Sequence, residues 1–295
     1  MDFLRRTANP WSQDILIGVA WDLLWAALFA GILFVVVHAL YVAVMAPVPE
    51  KTDRPIANVP EKIERHSGAS RSFHWLMALS MLVLLVTAFF PLVGIQFAWV
   101  TIHWVAGLVL TLLIIYHIWD TTVRKDWRTI WIGKKEIRQA IQSAGQFLRR
   151  KPAKEGRTGK YPLDQRAYHN ATTLVSVGAI ITGLLMTFRI DTWFWTSNPY
   201  FLSDTTWGLV FILHGLCGVA LITLVIAHVY FAIRPEKRWM TRSMIKGWIT
   251  REEYLEHYDP EQWKIGDGEP AHSESHGLEE MSDVPPSDPG AVAPA

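Results

Sequence analysis

Residues 205–233 contain no Asp, Glu, Lys, Arg or Pro. So long an apolar run reads as a membrane-spanning helix, because about 20 residues cross a hydrocarbon core about 30 Å thick. Two histidines lie inside it, His214 and His228, 14 residues apart. Fourteen steps of about 100° return to within roughly 40° of a whole number of turns, so both imidazoles leave nearly the same face. Along the axis they are about 21 Å apart. One histidine therefore falls in each half of a bilayer, and both look at the same neighbours. A lone intramembrane histidine is as readily a hydrogen-bonding residue as a ligand. A pair at this spacing, however, can give one axial ligand to each of two haems stacked across the membrane, and intramembrane ionisable groups are functional by default. A neutral imidazole binds iron through one ring nitrogen while a hydrogen bond orients the other.

Gly218 follows His214 by one turn on the same face, where a missing side chain lets a flat macrocycle lie against the backbone. His103 and Gly107 repeat the spacing on another apolar stretch. The chain is 51% hydrophobic over 295 residues with 15 Trp, the composition of a membrane protein with sizeable polar connections. Its single cysteine, Cys217, excludes an intramolecular disulfide and reads as a small core residue, and no C-x-x-C-H is present for covalent haem attachment.

In chain order, a polar start (1–14) precedes a first span over 15–46, too long for a signal-peptide core and read as retained. Asp22 sits near one end of it. His38 reads as a packing or hydrogen-bonding residue, with a quinone or haem edge as the alternative. Pro47 and Pro49 end this helix, and 50–71 is a polar linker. The second span runs from Ser72 to about Gly94 and opens with His74-Trp75. The third runs from about Trp99 to Thr122, with His103 at its start and His117 near its end. The fourth runs from Tyr168 to about Ile190. Between these last two lies a basic loop, 123–167, in which Trp127 to Arg150 has the apolar periodicity of an interfacial amphipathic helix. Trp193, Phe194, Trp195, Tyr200 and Phe201 form an aromatic belt before the fifth span. The expected fold is an all-α integral membrane protein of five transmembrane helices. Four of them make a bundle over 72–233. Residues 1–49 hold an outer N-terminus and an extra helix, 234–265 a cytoplasmic C-terminal segment, and 266–295 a Pro-, Ser-, Glu- and Gly-rich disordered tail.

Lysines and arginines orient the bundle. Residues 123–167 carry 13, 46–73 carry 5 and 234–264 carry 7, whereas 1–14 carry 2 and the connections 91–98 and 191–205 none. The N-terminus is therefore expected outside and the C-terminus in the cytoplasm, in a bacterial inner membrane. Depth then pairs His103 with His214 at the outer level. For His228 two partners compete, His74 and His117. The second of these is itself 14 residues from His103, the arrangement of a bc-type cytochrome b, and spacing leaves the choice open.

His-Trp opening one span, His-x-x-x-Gly opening the next, and His-x-x-x-Gly followed by a second histidine in the last resemble the cytochrome b (gamma) subunit of respiratory formate dehydrogenases. Gly159-Lys160-Tyr161 and the run Ser243-Met244-Ile245-Lys246-Gly247 with Trp263 extend the likeness over about 70–265. The dihaem cytochrome b subunits of nickel-iron hydrogenases and thiosulfate reductases are similar. The resemblance implies two b haems, one on His74 and His228 and one on His103 and His214, with His117 not a ligand. It also implies an iron–sulfur subunit and a catalytic dehydrogenase subunit as partners, and quinone as diffusible acceptor. Where the family's quinone-site loop has an asparagine and a glycine, this chain has Pro162 and Asp164, while Gln165 is retained. The quinone pocket is thus expected to differ, and the dehydrogenase substrate need not be formate.

Electrons would enter at the outer pair and leave to quinone near the inner one, with protons drawn from the cytoplasm. The chain itself would carry no substrate dehydrogenase chemistry and bind no nucleic acid. Tyr161, Asp164, Gln165 and His169 are the candidate quinone or proton contacts, and substitution of Asp164 or Gln165 is expected to slow quinone reduction. Haem propionates favour arginine, for which Arg71 and Arg234 stand at the inner level and Arg189 at the outer. The alternatives are a stand-alone b561-type transmembrane reductase and a haem-free scaffold or transporter.

Overall fold

The computed structural model describes residues 3–45, 59–124, 131–133, 137–138 and 158–265. Five helices in it are long and apolar enough to cross a membrane. They are α1 (Trp21–Met45), α2 (Gly68–Phe89), α3 (Trp99–Arg124), α4 (Leu163–Thr187) and α5 (Asp204–Ile233). A helix satisfies its own backbone hydrogen bonds, which is what allows such runs to sit in hydrocarbon. Leu112, Leu174 and Val44 stand exposed on the outside of the bundle, where lipid rather than water is the solvent.

Helix starts follow local chemistry. The Ser67 and Ser203 hydroxyls accept from the amides of Ser70 and Thr206, both at 3.3 Å, and cap α2 and α5. Pro162 stands at the N-cap of α4, so this helix begins five residues before the expected Tyr168. Asp164 and Gln165 consequently lie on its first turn and not in a loop. Pro91, within a short 3₁₀ turn, ends the α2 run.

α2 packs on α3 and α4 on α5, and α1 also packs on α5. Close approach of α1 and α5 needs Gly31, where a Cβ would come within 2.9 Å of Ile226 Cδ1. Both pairs of helices turn one end toward the aromatic connection 188–203 (the aromatic end) and the other toward the arginine- and lysine-rich segments (the basic end).

Two regions depart from expectation. The first span does not start at residue 15. Leu4–Ala8 (β1) and Asp14–Val19 (β2) form an antiparallel hairpin, and α1 begins only at Trp21. A short apolar run such as Ile15-Leu16-Ile17 has no periodicity that separates a strand from a helix start. The turn decides it: Asn9 Oδ1 accepts from the amides of Trp11 (3.1 Å) and Gln13 (2.9 Å), and Ser12 adopts φ +59°. β2 then lies along α5 so tightly that a Cβ at Gly208 would be 2.8 Å from Leu16 Cβ, and one at Gly215 2.7 Å from Val19 Cγ2.

The expected linker 50–71 and C-terminal segment 234–265 are not separate. Lys62–Glu64 (β3) pairs antiparallel with Trp248–Thr250 (β4), Ile63 opposite Ile249. The short helices α6 (Arg238–Lys246) and α7 (Arg251–His257) complete a cap over the basic end. Gly247 turns the chain between α6 and β4 at φ +96°, a conformation glycine adopts freely. The Thr250 and Glu253 side chains form a capping box at α7. Ile63, Ile249, Tyr254 and Tyr258 are the cap's buried core, with Trp239 and Trp263 packed on it. Burying a side chain such as Ile249 contributes about 1.5–3 kcal/mol. The Asp259 amide donates to Thr158 O at 3.0 Å, which ties the approach to α4 into the same cap. Three-residue strands so far apart leave no trace in the periodicity of the sequence. The expected amphipathic helix 127–150 and tail 266–295 lie outside the described residues, apart from 131–133 and 137–138.

Candidate functional site

α5 presents its two histidines to two different helices. His228 faces His74 of α2, with ring centres 6.3 Å apart, and His214 faces His103 of α3 at 6.2 Å. A metal–imidazole bond of about 2 Å plus about 1.2 Å from nitrogen to ring centre, taken twice, gives about 6.4 Å. Both pairs therefore stand at the separation that one iron between two imidazoles requires. Among the described residues no cluster of three or more His, Cys, Asp or Glu side chains gathers, so paired histidines are the metal-binding geometry on offer.

The space beside the aromatic-end pair fits a flat group. A Cβ built on Gly218 meets nothing within 4 Å, and one on Gly107 meets only Leu84 Cδ2 at 3.9 Å. The glycine that admits the His214 ring itself is on α4: a Cβ at Gly183 would be 3.3 Å from His214 Cε1. At the basic end, Tyr168 stacks on His228 with centres 5.1 Å apart and planes 20° from parallel. His74 Nδ1 is buried and without a hydrogen-bond partner among the described residues.

A model of the prokaryotic cytochrome b561 family matches residues 65–247. The chain belongs to that family. It is a multi-pass membrane protein of electron transfer and binds haem b. A search of curated proteins gives no match. All four paired histidines lie inside the matched stretch, whereas the hairpin and α1 precede it.

His117, the competing partner for His228, turns elsewhere in this cytochrome. It stacks on Phe73 (4.6 Å, 8°) and its ring centre lies 5.9 Å from His169 on α4. His38 is a hydrogen-bonding residue: its Nδ1 lies 3.0 Å from Tyr230 Oη and 3.2 Å from Arg234 Nη1. Cys217 packs on Gly178, where a Cβ would come within 3.0 Å of its Sγ.

The arginines named from the sequence already have protein partners. Arg71 Nη1 donates to Ile245 O at 2.6 Å, Arg234 Nε donates to Glu236 at 3.1 Å, and Arg189 lies over Trp207 at 5.3 Å. The guanidinium that is fully buried among the described residues is instead Arg65, 5% exposed. It donates to Gln165 Oε1 (3.3 Å) and to His66 Nε2 (3.2 Å), lies over Trp239 and Tyr258, and its Nη1 has no partner among the described residues. Burial draws its pKa down to about 10, against the pull of nearby Tyr161, so it stays charged at neutral pH. Gln165 Nε2 in turn donates to Met240 Sδ at 3.1 Å. Tyr161, Gln165 and Arg65 thus converge under the cap. Asp164 does not join them. Its side chain is 68% exposed and 3.9 Å from Lys237 Nζ, so it is not withdrawn from water.

Sequence reasoning missed Arg65 as a site residue, because the cap that buries it is built from distant pieces. It also missed Thr87 and Thr182. Thr87 Oγ1 lies 2.7 Å from His103 Nδ1 and Thr182 Oγ1 2.9 Å from His214 Nδ1. The available signal was a lone hydroxyl in an otherwise apolar run, LVTAFF and IITGLL.

Proposed function

We propose that this chain is the dihaem membrane subunit of a respiratory dehydrogenase of the formate dehydrogenase kind. It would move electrons across the bacterial inner membrane from an iron–sulfur partner, bound to a catalytic subunit, to quinone. The observation that carries the reading is the pair of facing imidazoles at each of two levels, with α5 common to both. A b haem held between two histidines supplies a one-electron carrier at each level.

The residues divide the work. His103 and His214 would hold the iron at the aromatic end, and His74 and His228 at the basic end. Gly107 and Gly218 leave room for the macrocycle, and Arg189 and Arg65 offer positive charge to propionates at their respective levels. The cap buries Arg65 and leaves Tyr161 and Gln165 half-buried beside it. A quinone carbonyl there would find a charged donor and an amide that both donates and accepts. Charge bias supports an outer N-terminus, an aromatic end toward the iron–sulfur partner and a basic end toward the cytoplasm.

Pyridine haemochrome analysis of the purified chain is expected to give two haem b per polypeptide; one or none overturns the dihaem reading. Family membership fits a hydrogenase subunit or a stand-alone b561-type reductase equally well. Gentle solubilisation decides among them: an iron–sulfur protein that co-purifies in fixed ratio supports the dehydrogenase reading, and its identity names the substrate. A chain that isolates alone and reduces a soluble acceptor supports the stand-alone reductase.

A further inference from the structure

Thr87 and Thr182 are on different helices, yet each stands in the same relation to one histidine of the aromatic-end pair. Both are buried, at 1% and 6% exposure. Thr87 Oγ1 donates to Val83 O at 2.7 Å, with Leu84 O at 3.0 Å, and Thr182 Oγ1 donates to Gly178 O at 2.7 Å, with Ala179 O at 3.1 Å. A hydroxyl has one proton and two acceptor lone pairs. With the proton directed to the preceding turn of its own helix, as threonine does in apolar helices, Oγ1 is left to accept. Its remaining close neighbour is Nδ1 of His103 or His214. Nδ1 must then carry the hydrogen, and the other ring nitrogen, Nε2, keeps a free lone pair.

We infer that Thr87 and Thr182 are positioning residues that fix the tautomer and ring orientation of His103 and His214 and thereby set the redox potential at the aromatic end. The inference rests on the proposed ligand pairing. Ligating histidines are commonly held by a hydrogen bond to the distal N–H, and that bond raises the basicity of the coordinating nitrogen. A more basic ligand favours the oxidised iron, so the two hydroxyls hold the potential down. The two rings stand 75° apart, His103 held from α2 and His214 from α4. The basic-end pair is held differently among the described residues: His74 Nδ1 has no partner there, and His228 is met by the face of Tyr168. The two ends of the bundle are thereby made unequal by two oxygen atoms.

The test uses the full-length protein in detergent or nanodiscs, with optical redox titration and low-spin EPR. T87V and T182V remove the hydroxyl acceptor while keeping the branched shape, and leave each ring only the backbone carbonyl beside it, Leu84 for His103 and Ala179 for His214. Each is expected to retain two haems, raise the midpoint potential of one, leave the other where it was, and alter the EPR signal of the shifted one as its ring loosens. T87S and T182S keep an oxygen in place and are expected to restore the wild-type potential. Where valine prevents accumulation, T87A and T182A take its place. Unchanged potentials in the hydroxyl-free variants overturn the inference, as does a serine variant that shifts as far as valine, since that would mark a packing role. H103A and H214A address the underlying reading separately: each is expected to lose one haem, and retention of both overturns the pairing whatever the threonine variants do.

Discussion

Replacing Gly218 with alanine or leucine separates an empty groove from an occupied one. A Cβ at this position meets no protein atom within 4 Å. If nothing lay against the backbone, alanine would act through helix propensity alone, gaining about 1 kcal/mol over glycine and raising the thermal midpoint. With a macrocycle there, the same methyl presses on its face. Overpacking of that kind costs about 1–3 kcal/mol. At 1.4 kcal/mol per factor of ten, haem retention falls roughly 5- to 150-fold. The sign of the alanine effect on retention is therefore the diagnostic quantity. Leucine adds three further carbons that the groove has no room for and is expected to take haem b from two per chain to one. Gly208→Ala is the steric control. Its Cβ strikes Leu16 Cβ at 2.8 Å and Leu16 O at 2.9 Å, so it should loosen the hairpin and leave the haem count intact. The assays are haem per polypeptide by pyridine haemochrome and the rate of haem transfer to excess apoglobin. A Gly218→Leu protein with its full haem complement and a raised midpoint would refute the cradle.

Three further outcomes are expected. His74→Ala should lose the basic-end haem in a redox titration while His117→Ala keeps both; the opposite result establishes the bc-like pairing. Gln165→Ala should slow reoxidation of pre-reduced protein by added quinone several-fold and leave the spectra unchanged, while Asp164→Asn, altered at a solvent-facing carboxylate, should not. Equal rates in wild type and Gln165→Ala put the quinone exit elsewhere. The cap should weaken in acid. His257 stacks on Trp239 with centres 4.6 Å apart, and burial lowers its pKa below the ordinary value. The folded state thus prefers the neutral ring. Its contribution to stability is complete above the unfolded pKa of about 6.5 and is lost as pH falls through that value toward the folded one. Protection factors for amide exchange over 248–258, with the intrinsic pH dependence divided out, should be lower at pH 5.5 than at 7.5, and His257→Phe should abolish the difference; an unchanged pH dependence in that variant assigns the effect to another group.

How much could be read in advance divides along sequence distance. Histidines separated by whole turns on an uncharged run have one geometry available, so the two levels in α5 followed from counting residues. The helices themselves followed from length and apolarity, because hydrocarbon tolerates little else. The partners of those histidines were harder. His74 and His117 lie at similar depth, and the rotation of α3 that turns His117 onto Phe73 depends on packing between helices. Thr87 and Thr182 were hidden for a related reason: each serves a residue on another helix, 16 and 32 positions away. The hairpin was lost because Ile15–Val19 is as apolar as the helix it precedes. Arg65 looked like one more cation of a basic connection until β3 met β4 and enclosed it.

That pairing also dictates an order of events during synthesis. Lys62 sits opposite Thr250, so β3 has no partner until nearly the whole membrane portion has been made. At about 5–20 residues per second, the wait is roughly 10 to 40 s. Throughout it, all five spans can enter the bilayer and the aromatic-end pair can assemble, while the opposite end stays uncapped. A nascent chain halted before Trp248 would carry every proposed iron ligand and yet leave Arg65 uncovered. Loading of the two levels is thus expected to be sequential, with the cap closing last over an end that is accessible until translation is almost complete.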